Sequence, residues 1–298
     1  MSTVQQTVIR IPVDPANPGQ FFACCGLLEL ADRLWKGAEG WFESEGRCFF
    51  LMPKQINSSQ DYTLAQLLMK VTQCRLTNTM TETQRISRER LSKMSKKQIE
   101  SDPSLEAEKK ALDKLWREAP IVLKAPFDFC VDWFANERTG GCIFKTWAGQ
   151  QSVFDISRNM KAPSGMDICQ LTPDELWKKR VANSSLPFNF DSDLGGIGSD
   201  LDVGFSFDPL KTMNIQSRPM LEFFAFIGLQ RFRPFKINSE NKYQYFFWAL
   251  PLLPGVAAIA AAGLLETIYV RAYEFCLLYR TKYLKSFLPA TPFERSRG

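Results

Sequence analysis

The pattern Phe-Phe-Ala-x-x-Gly-Leu occurs twice, first as Phe21-Phe22-Ala23-Cys24-Cys25-Gly26-Leu27 and again as Phe223-Phe224-Ala225-Phe226-Ile227-Gly228-Leu229, 202 positions later. A proline precedes each copy, Pro18 and Pro219, at a place where a helix can start without losing a backbone hydrogen bond. The alanine and glycine leave room for a second helix to approach closely. An aromatic strand ending in proline follows each copy, at residues 48–53 and 245–251. This predicts a duplicated unit, a helix over a strand pair, with its copies related by a pseudo-twofold axis. The fold class is then α+β: mixed antiparallel sheets with packed helices, and a helical C-terminus.

Residues 6–13 read as a strand, 20–35 as an apolar helix, 41–53 as a hairpin and 62–75 as a helix. Residues 76–120 change character and read as a basic insertion. Its first part is polar and resembles a mobile loop that a ligand would order. Its second part, SLEAEKKALDKLWREAP, carries Leu105, Leu112, Leu115 and Trp116 at helical spacing. Residues 121–149 look like a hairpin: FDFCVDWF alternates, NERTGG turns, and CIFKTWAG returns. Thr172-Pro173-Asp174-Glu175 has the form of a helix start with a capping box. Residues 186–210 suggest short strands and loops. The expected organisation is an α+β domain over 1–215 carrying the insertion, followed by a helix/strand/helix region over 216–298.

The segment 246–265 has no charge over about the length that spans a bilayer. Pro251, Pro254 and Gly255 interrupt it, so it reads as a buried strand, a turn and a small-residue helix. No membrane partner is expected. The first residues show no charged leader before an apolar stretch, which points to a cytoplasmic protein.

Of 298 residues, 45% are hydrophobic and 23% charged, the balance of a folded chain. None is histidine. That excludes Ser-His-Asp and Cys-His catalysis, His-ligated metal centres and imidazole acid–base chemistry. The eight cysteines form no C-x-x-C pair, and most sit among apolar neighbours. They read as small buried hydrophobes in a reducing compartment, and no metal or other cofactor is expected. The net charge of +5 is mild, so any polyanion-binding surface must be local.

Arg85, Arg88, Arg90, Lys93, Lys96 and Lys97 form one such local excess, with Glu89 the one acid among them. They point to phosphate contacts, or to a solvated helix face. Lys145, Trp147, Gln150 and Gln151 place a cation, an aromatic plane and two amides together, with Arg158 and Asn159 close behind. Such groups can read and stack on bases; the alternative is a hairpin edge whose tryptophan packs inward. Arg231 and Arg233 flank an aromatic and can grip a backbone, or complement a helix dipole. The expected C-terminal helix adds Arg271, Arg280, Lys282 and Lys285, with Arg295 and Arg297 beyond. Gly140-Gly141 before Lys145-Thr146 has the wrong spacing for a phosphate loop. Asp191, Asp193, Asp200, Asp202 and Asp208 surround a glycine-rich stretch and suggest either magnesium ligands or turns.

The stretches VDPANPGQFFACCGLLELADRLW, FKTWAGQQS and LEFFAFIGLQRFRP, in that order, resemble a CRISPR-associated family of type I-G (formerly I-U) systems, the smaller form of its Cas-eight-like large Cascade subunit. The resemblance implies a non-catalytic subunit of an RNA-guided surveillance complex. Its partners would be guide RNA near the 5′ end, target double-stranded DNA, other Cascade subunits, and a helicase-nuclease recruited in trans. Such a subunit contacts the motif flanking the target and helps open the duplex, while base pairing reads the remaining sequence. The resemblance assigns no individual residues. At 298 residues the chain is short for a large subunit, so a helical bundle is either small or supplied by another polypeptide. Two other functions fit the residues: a backbone-type subunit coating guide RNA, and a magnesium-dependent nuclease using the Asp191–Asp208 region.

Overall fold

Pro18 and Pro219 each open a helix, and the apolar run behind each proline buries it almost all round, as befits core helices. The computed structural model describes residues 7–54, 62–135, 143–147, 151–183, 187–195, 215–237, 241–265, 269–279 and 285–294. In chain order the elements are β1 (Ile9–Pro12), α1 (Pro18–Trp35), β2 (Glu39–Phe42), β3 (Cys48–Met52), α2 (Leu64–Gln73), β4 (Leu76–Asn78), α3 (Glu82–Lys93), α4 (Lys96–Glu100), α5 (Pro103–Glu118), β5 (Ile121–Leu123), β6 (Phe129–Val131), α6 (Val153–Lys161), β7 (Val181–Asn183), α7 (Ser192–Gly195), β8 (Ile215–Ser217), α8 (Pro219–Gly228), β9 (Phe235–Lys236), β10 (Lys242–Trp248), α9 (Pro254–Ala261), β11 (Tyr269–Tyr279), β12 (Lys285–Phe287) and β13 (Thr291–Phe293). Helices and antiparallel sheets are mixed, and the fold is α+β.

α1 and α8 cross at their glycines. A Cβ on Gly26 would lie 1.9 Å from the Phe224 carbonyl oxygen, and one on Gly228 would lie 2.1 Å from that of Phe22. Positions 22 and 224, like 26 and 228, are equivalent in the two copies, so the contact is reciprocal, as a twofold axis requires. The flanking strands break this symmetry. In the first copy β3 lies between β1 and β2, all pairs antiparallel, giving a split βαβ unit. In the second copy β10 lies between β9 and β11. The outer strand β11 follows its helix, whereas β1 precedes its own. β8, which leads into α8, pairs with β7 instead.

The main core runs from Ile9 to Ala290 and draws on both sides of residue 215. It is rich in aromatic pairs: Phe21 stacks on Phe42 at 5.4 Å and meets Tyr245 at 4.6 Å, and Phe226 stacks on Phe188 at 4.5 Å. Ring pairs of this kind add to the stabilisation that burial provides.

Four expectations need correction. Residues 76–104 contain β4, α3 and α4 where a mobile loop was expected. Two capping boxes, Thr81 with Gln84 and Ser95 with Gln98, start these helices, and buried Leu91 and Ile99 anchor them. In place of the expected C-terminal helix the described residues form strands: Arg271 lies in β11 and Lys285 in β12. The alternation of buried Tyr273, Phe275 and Leu277 with half-buried Glu274, Cys276 and Leu278 is a strand pattern. β6 pairs with β5, and residues 143–147 form no return strand. The capping-box sequence at Thr172 does bond Glu175, but it closes a turn and leads into no helix.

The 246–265 segment is the end of β10, a turn and α9, as expected. Among the described residues no helix is long and apolar enough to cross a membrane. Cys24, Cys25, Cys48 and Cys74 are buried, whereas Cys130 is exposed on the outward side of β6; all described cysteines are free thiols.

Candidate nucleic-acid interface

The basic run lies along α3 and α4, and the structure divides it in two. Arg85 and Arg88 are used internally. The Arg85 guanidinium donates to the Asn78 carbonyl at 2.9 Å and to its side-chain oxygen at 3.3 Å. Arg88 Nε donates to Asp113 Oδ1 at 3.0 Å, and its guanidinium lies 4.4 Å from the Trp116 ring centroid. These two arginines tie α3 to β4 and α5. The outer cations are different. Arg90 faces Glu108 at 3.7 Å, Lys93 faces Glu89 at 2.6 Å, and Lys96 faces Glu100 at 3.5 Å. Their side chains are 61%, 73% and 89% exposed. Ion pairs this exposed contribute little, so a phosphate can displace the carboxylate at small cost. Lys97 is exposed and has no acidic partner among the described residues. Over residues 76–120 ten basic side chains meet eight acidic ones, so the net excess of the insertion is small.

The insertion keeps a small core of its own, made of Met80, Leu91, Leu112 and Ala119, with Trp116 packed beside it. Trp116 also joins it to α6. Its ring meets Phe154 edge-on at 5.0 Å, and its Nε1 donates to Asp155 Oδ2 at 3.2 Å. Arg158 pairs with Asp155 at 3.1 Å and lies 5.9 Å from the Phe154 ring. A row of Arg88, Trp116, Phe154 and Arg158 therefore brings two separate sequence predictions together. Trp116 and Phe154 were not among the predicted site residues. The one sequence signal for Trp116 is its helical phase with Leu112, which marks it as inward-facing and says nothing of α6.

Trp147 is not available to stack on a base. It is buried against Phe188 at 5.1 Å, Phe134 at 5.6 Å, Trp133 at 6.0 Å and Phe226 at 6.3 Å. Its neighbour Thr146 donates its hydroxyl to the Phe188 carbonyl, which turns the segment inward. Lys145 is half-buried 5.8 Å from the Trp147 ring, and burial lowers its ammonium pKa against the opposing pull of Glu118. Gln151 and Asn159 are half-buried and engaged within the protein. Gln150 lies outside the described residues.

Arg231 does not face outward as a free grip. Its Nε donates to Glu29 Oε2 at 2.6 Å, and a terminal nitrogen donates to Oε1 at 3.2 Å. The Glu29 carboxylate raises the Arg231 pKa above its ordinary value. Arg233 is exposed. The Lys285 ammonium donates to the Ile143 carbonyl at 2.8 Å, and Arg271 pairs with Glu45. Arg280, Lys282, Arg295 and Arg297 lie outside the described residues.

Asp191 and Asp193 share the guanidinium of Arg218, at 3.2 Å and 2.6 Å, and the Asn17 amide donates to Asp191 at 2.8 Å. Among the described residues no group of three or more His, Cys, Asp or Glu is placed to hold a metal ion. Asp200, Asp202 and Asp208 lie outside them. Nearby, Glu222 is fully buried and accepts the backbone N–H groups of Phe190 and Asp191 at 3.2 Å and 3.0 Å. No family model matches the chain, and no curated protein or solved structure does so at a similarity that marks kinship.

Proposed function

We propose that this chain is a non-catalytic subunit of a type I CRISPR RNA-guided surveillance complex. It contacts guide RNA and the DNA flanking the target, supporting duplex opening and recruitment of a helicase-nuclease. The observation that carries the reading is the outer face of α3 and α4, where Arg90, Lys93, Lys96 and Lys97 are exposed with weak partners or none. Such a face gains affinity for a polyanion by releasing its counterions. The arrangement of the resembling stretches supports the family reading. The stretches at residues 13–35 and 221–234 lie on the crossed helix pair, and Trp147 of the middle stretch packs on Phe226. Three segments far apart in sequence thus belong to one core.

The test is binding of the purified chain, and of the chain co-purified with its neighbouring gene products, to duplex DNA across a salt series. Replacing Arg90, Lys93, Lys96 and Lys97 together by alanine should reduce the slope of log K against log salt by about 3.6. An unchanged slope and affinity would remove α3–α4 from the interface. Stoichiometry in the assembled particle separates this reading from a guide-coating backbone subunit, which would be present in several copies.

A further inference from the structure

The β1-β3-β2 sheet has two unlike faces. Ile9, Ile11, Phe42, Phe49 and Leu51 are buried toward α1. Because side chains alternate along a strand, Arg10, Trp41 and Phe50 fall on the opposite face. The register places them in one row: Arg10 of β1 is directly opposite Phe50 of β3, which is directly opposite Trp41 of β2. The Trp41 and Phe50 rings are stacked 5.3 Å apart at 16°, and both are half-buried. A cation thus stands in register with two parallel, half-buried aromatic planes on the side of the sheet opposite α1.

We infer that this outer face binds single-stranded nucleic acid, stacking bases on the Trp41–Phe50 pair and holding the backbone at Arg10 and Arg47. The inference rests on the proposed function and adds to it a contact separate from α3–α4. Arg10 Nε donates to the Cys48 sulfur at 3.2 Å, a weak acceptor, and its acidic neighbours Glu43 and Asp174 act on it without a direct ion pair among the described residues. Arg47, in the turn before β3, is exposed with no side-chain partner among the described residues. Arg10 and Arg47 line a cleft of about 280 Å³, with Asp174 on its far wall. That cleft continues into one of about 440 Å³, which Arg47 shares with Lys178. Lys178, Lys179 and Arg180 follow one another, all exposed. Arg10, Arg47 and Lys178 outnumber Asp14 and Asp174 among the residues lining the two clefts. Aromatic planes beside a cationic track suit a single strand, whose unpaired bases offer π-faces next to phosphates. A duplex has no free base face to stack there.

The experiment is an anisotropy titration of the full chain with fluorescein-labelled ten-nucleotide oligouridine and oligothymidine. Trp41→Leu and Phe50→Leu keep apolar volume but remove the plane, and each should weaken binding about 5- to 100-fold with an unchanged salt slope. The exposed pair Arg10→Glu with Arg47→Glu, which carries no core residue, should abolish binding; Arg47→Ala alone should reduce the slope by about 0.7. Tighter binding of oligouridine identifies RNA as the natural strand, and equal binding leaves the site open to either. If the leucine variants and the Arg10/Arg47 variant all bind oligonucleotide like wild type, the sheet face is not the site. The proposed function would survive that result provided the α3–α4 variant still weakens duplex binding. If the leucine variants instead lose a protein partner and keep oligonucleotide binding, the face is a protein interface and the inference fails. If the unaltered chain binds neither oligonucleotide nor duplex, both readings fall.

Discussion

Glu29 and Arg231 are separated by 202 residues, the offset of the repeated heptapeptide, and their side chains meet. Each is therefore the other's counterpart, and their contact marks the pseudo-twofold axis. In a symmetric pair this place would bring identical residues together. Here one side carries a carboxylate and the other a guanidinium. Glu29 is buried and also accepts from Arg33 at 2.9 Å, so its charge is fully compensated.

A double-mutant cycle on this pair is the first prediction. Glu29→Gln and Arg231→Met should show a coupling of about 1–2 kcal/mol in chemical denaturation. The value falls below that of a fully buried pair because the Arg231 side chain is 43% exposed. The same cycle on Lys96 and Glu100, an exposed pair, should give a coupling near zero.

The crossing itself tolerates no side chain at either glycine. Gly26→Ala and Gly228→Ala each drive a methyl group into a backbone carbonyl that cannot move independently of its helix. Each should cost about 3 kcal/mol or more, the upper end of overpacking effects. Loss of cooperative melting would satisfy the prediction, and a wild-type Tm would contradict it. Because the contact is reciprocal, the two variants should be similarly impaired.

Stability should fall as pH rises from about 5 to about 9. Burial is the main cause that pushes the Glu222 pKa up to about 8, and repulsion from Asp191 adds to it, while backbone N–H donors oppose. The Asp191 pKa is also raised by burial, against the pull of Arg218 and Asn17. An unfolded glutamate titrates near ~4.3. Between those values the folded state holds the extra proton, so the free energy of unfolding declines with pH, by about 1.4 kcal/mol for each unit. The chain has no histidine, so imidazole titration does not contribute to the slope. Thermal melts from pH 5 to 9 should show it, and Glu222→Gln should flatten it; a flat wild-type profile would sink the argument.

Arg88 is predicted to hold the insertion together and to contribute nothing to phosphate binding. Arg88→Ala removes the Asp113 pair and the guanidinium on Trp116, at a cost of about 1 kcal/mol. Arg88→Lys should not restore it, since a lysine lacks the planar group that stacks. Amide exchange in α3 and α5 should accelerate, while the salt slope for DNA stays that of wild type.

The helix crossing was legible because its signal is local and doubled: two phenylalanines, a small residue and glycine at the same spacing twice, with a proline shortly before each copy. The sheet face around Phe50 was less visible. That hairpin can be read from the sequence, but the register placing Arg10 beside Phe50 depends on pairing with a strand on the far side of α1. β11 was misread because its inward residues run into an apolar stretch at Phe275, Leu277 and Leu278, where the period of two is blurred. Trp147 is ambiguous in the sequence for the opposite reason. Its polar neighbours suggest an exposed edge, and only the distant Phe188 and Phe226 show that it points inward. The choice of partners within the basic run was likewise hidden. Nothing in the sequence around Arg88 shows that Asp113 will take it while the nearby lysines remain exposed.

The separate core of the insertion has an energetic consequence. Met80, Leu91, Leu112 and Ala119 are few, and none belongs to the cluster that closes around Gly26 and Gly228. Regions that bury little apolar surface open at lower free energy than the body that carries them. The charged helices can therefore melt and re-form while the crossed pair stays shut, and a strand held across them would be gripped by a part less rigid than that pair.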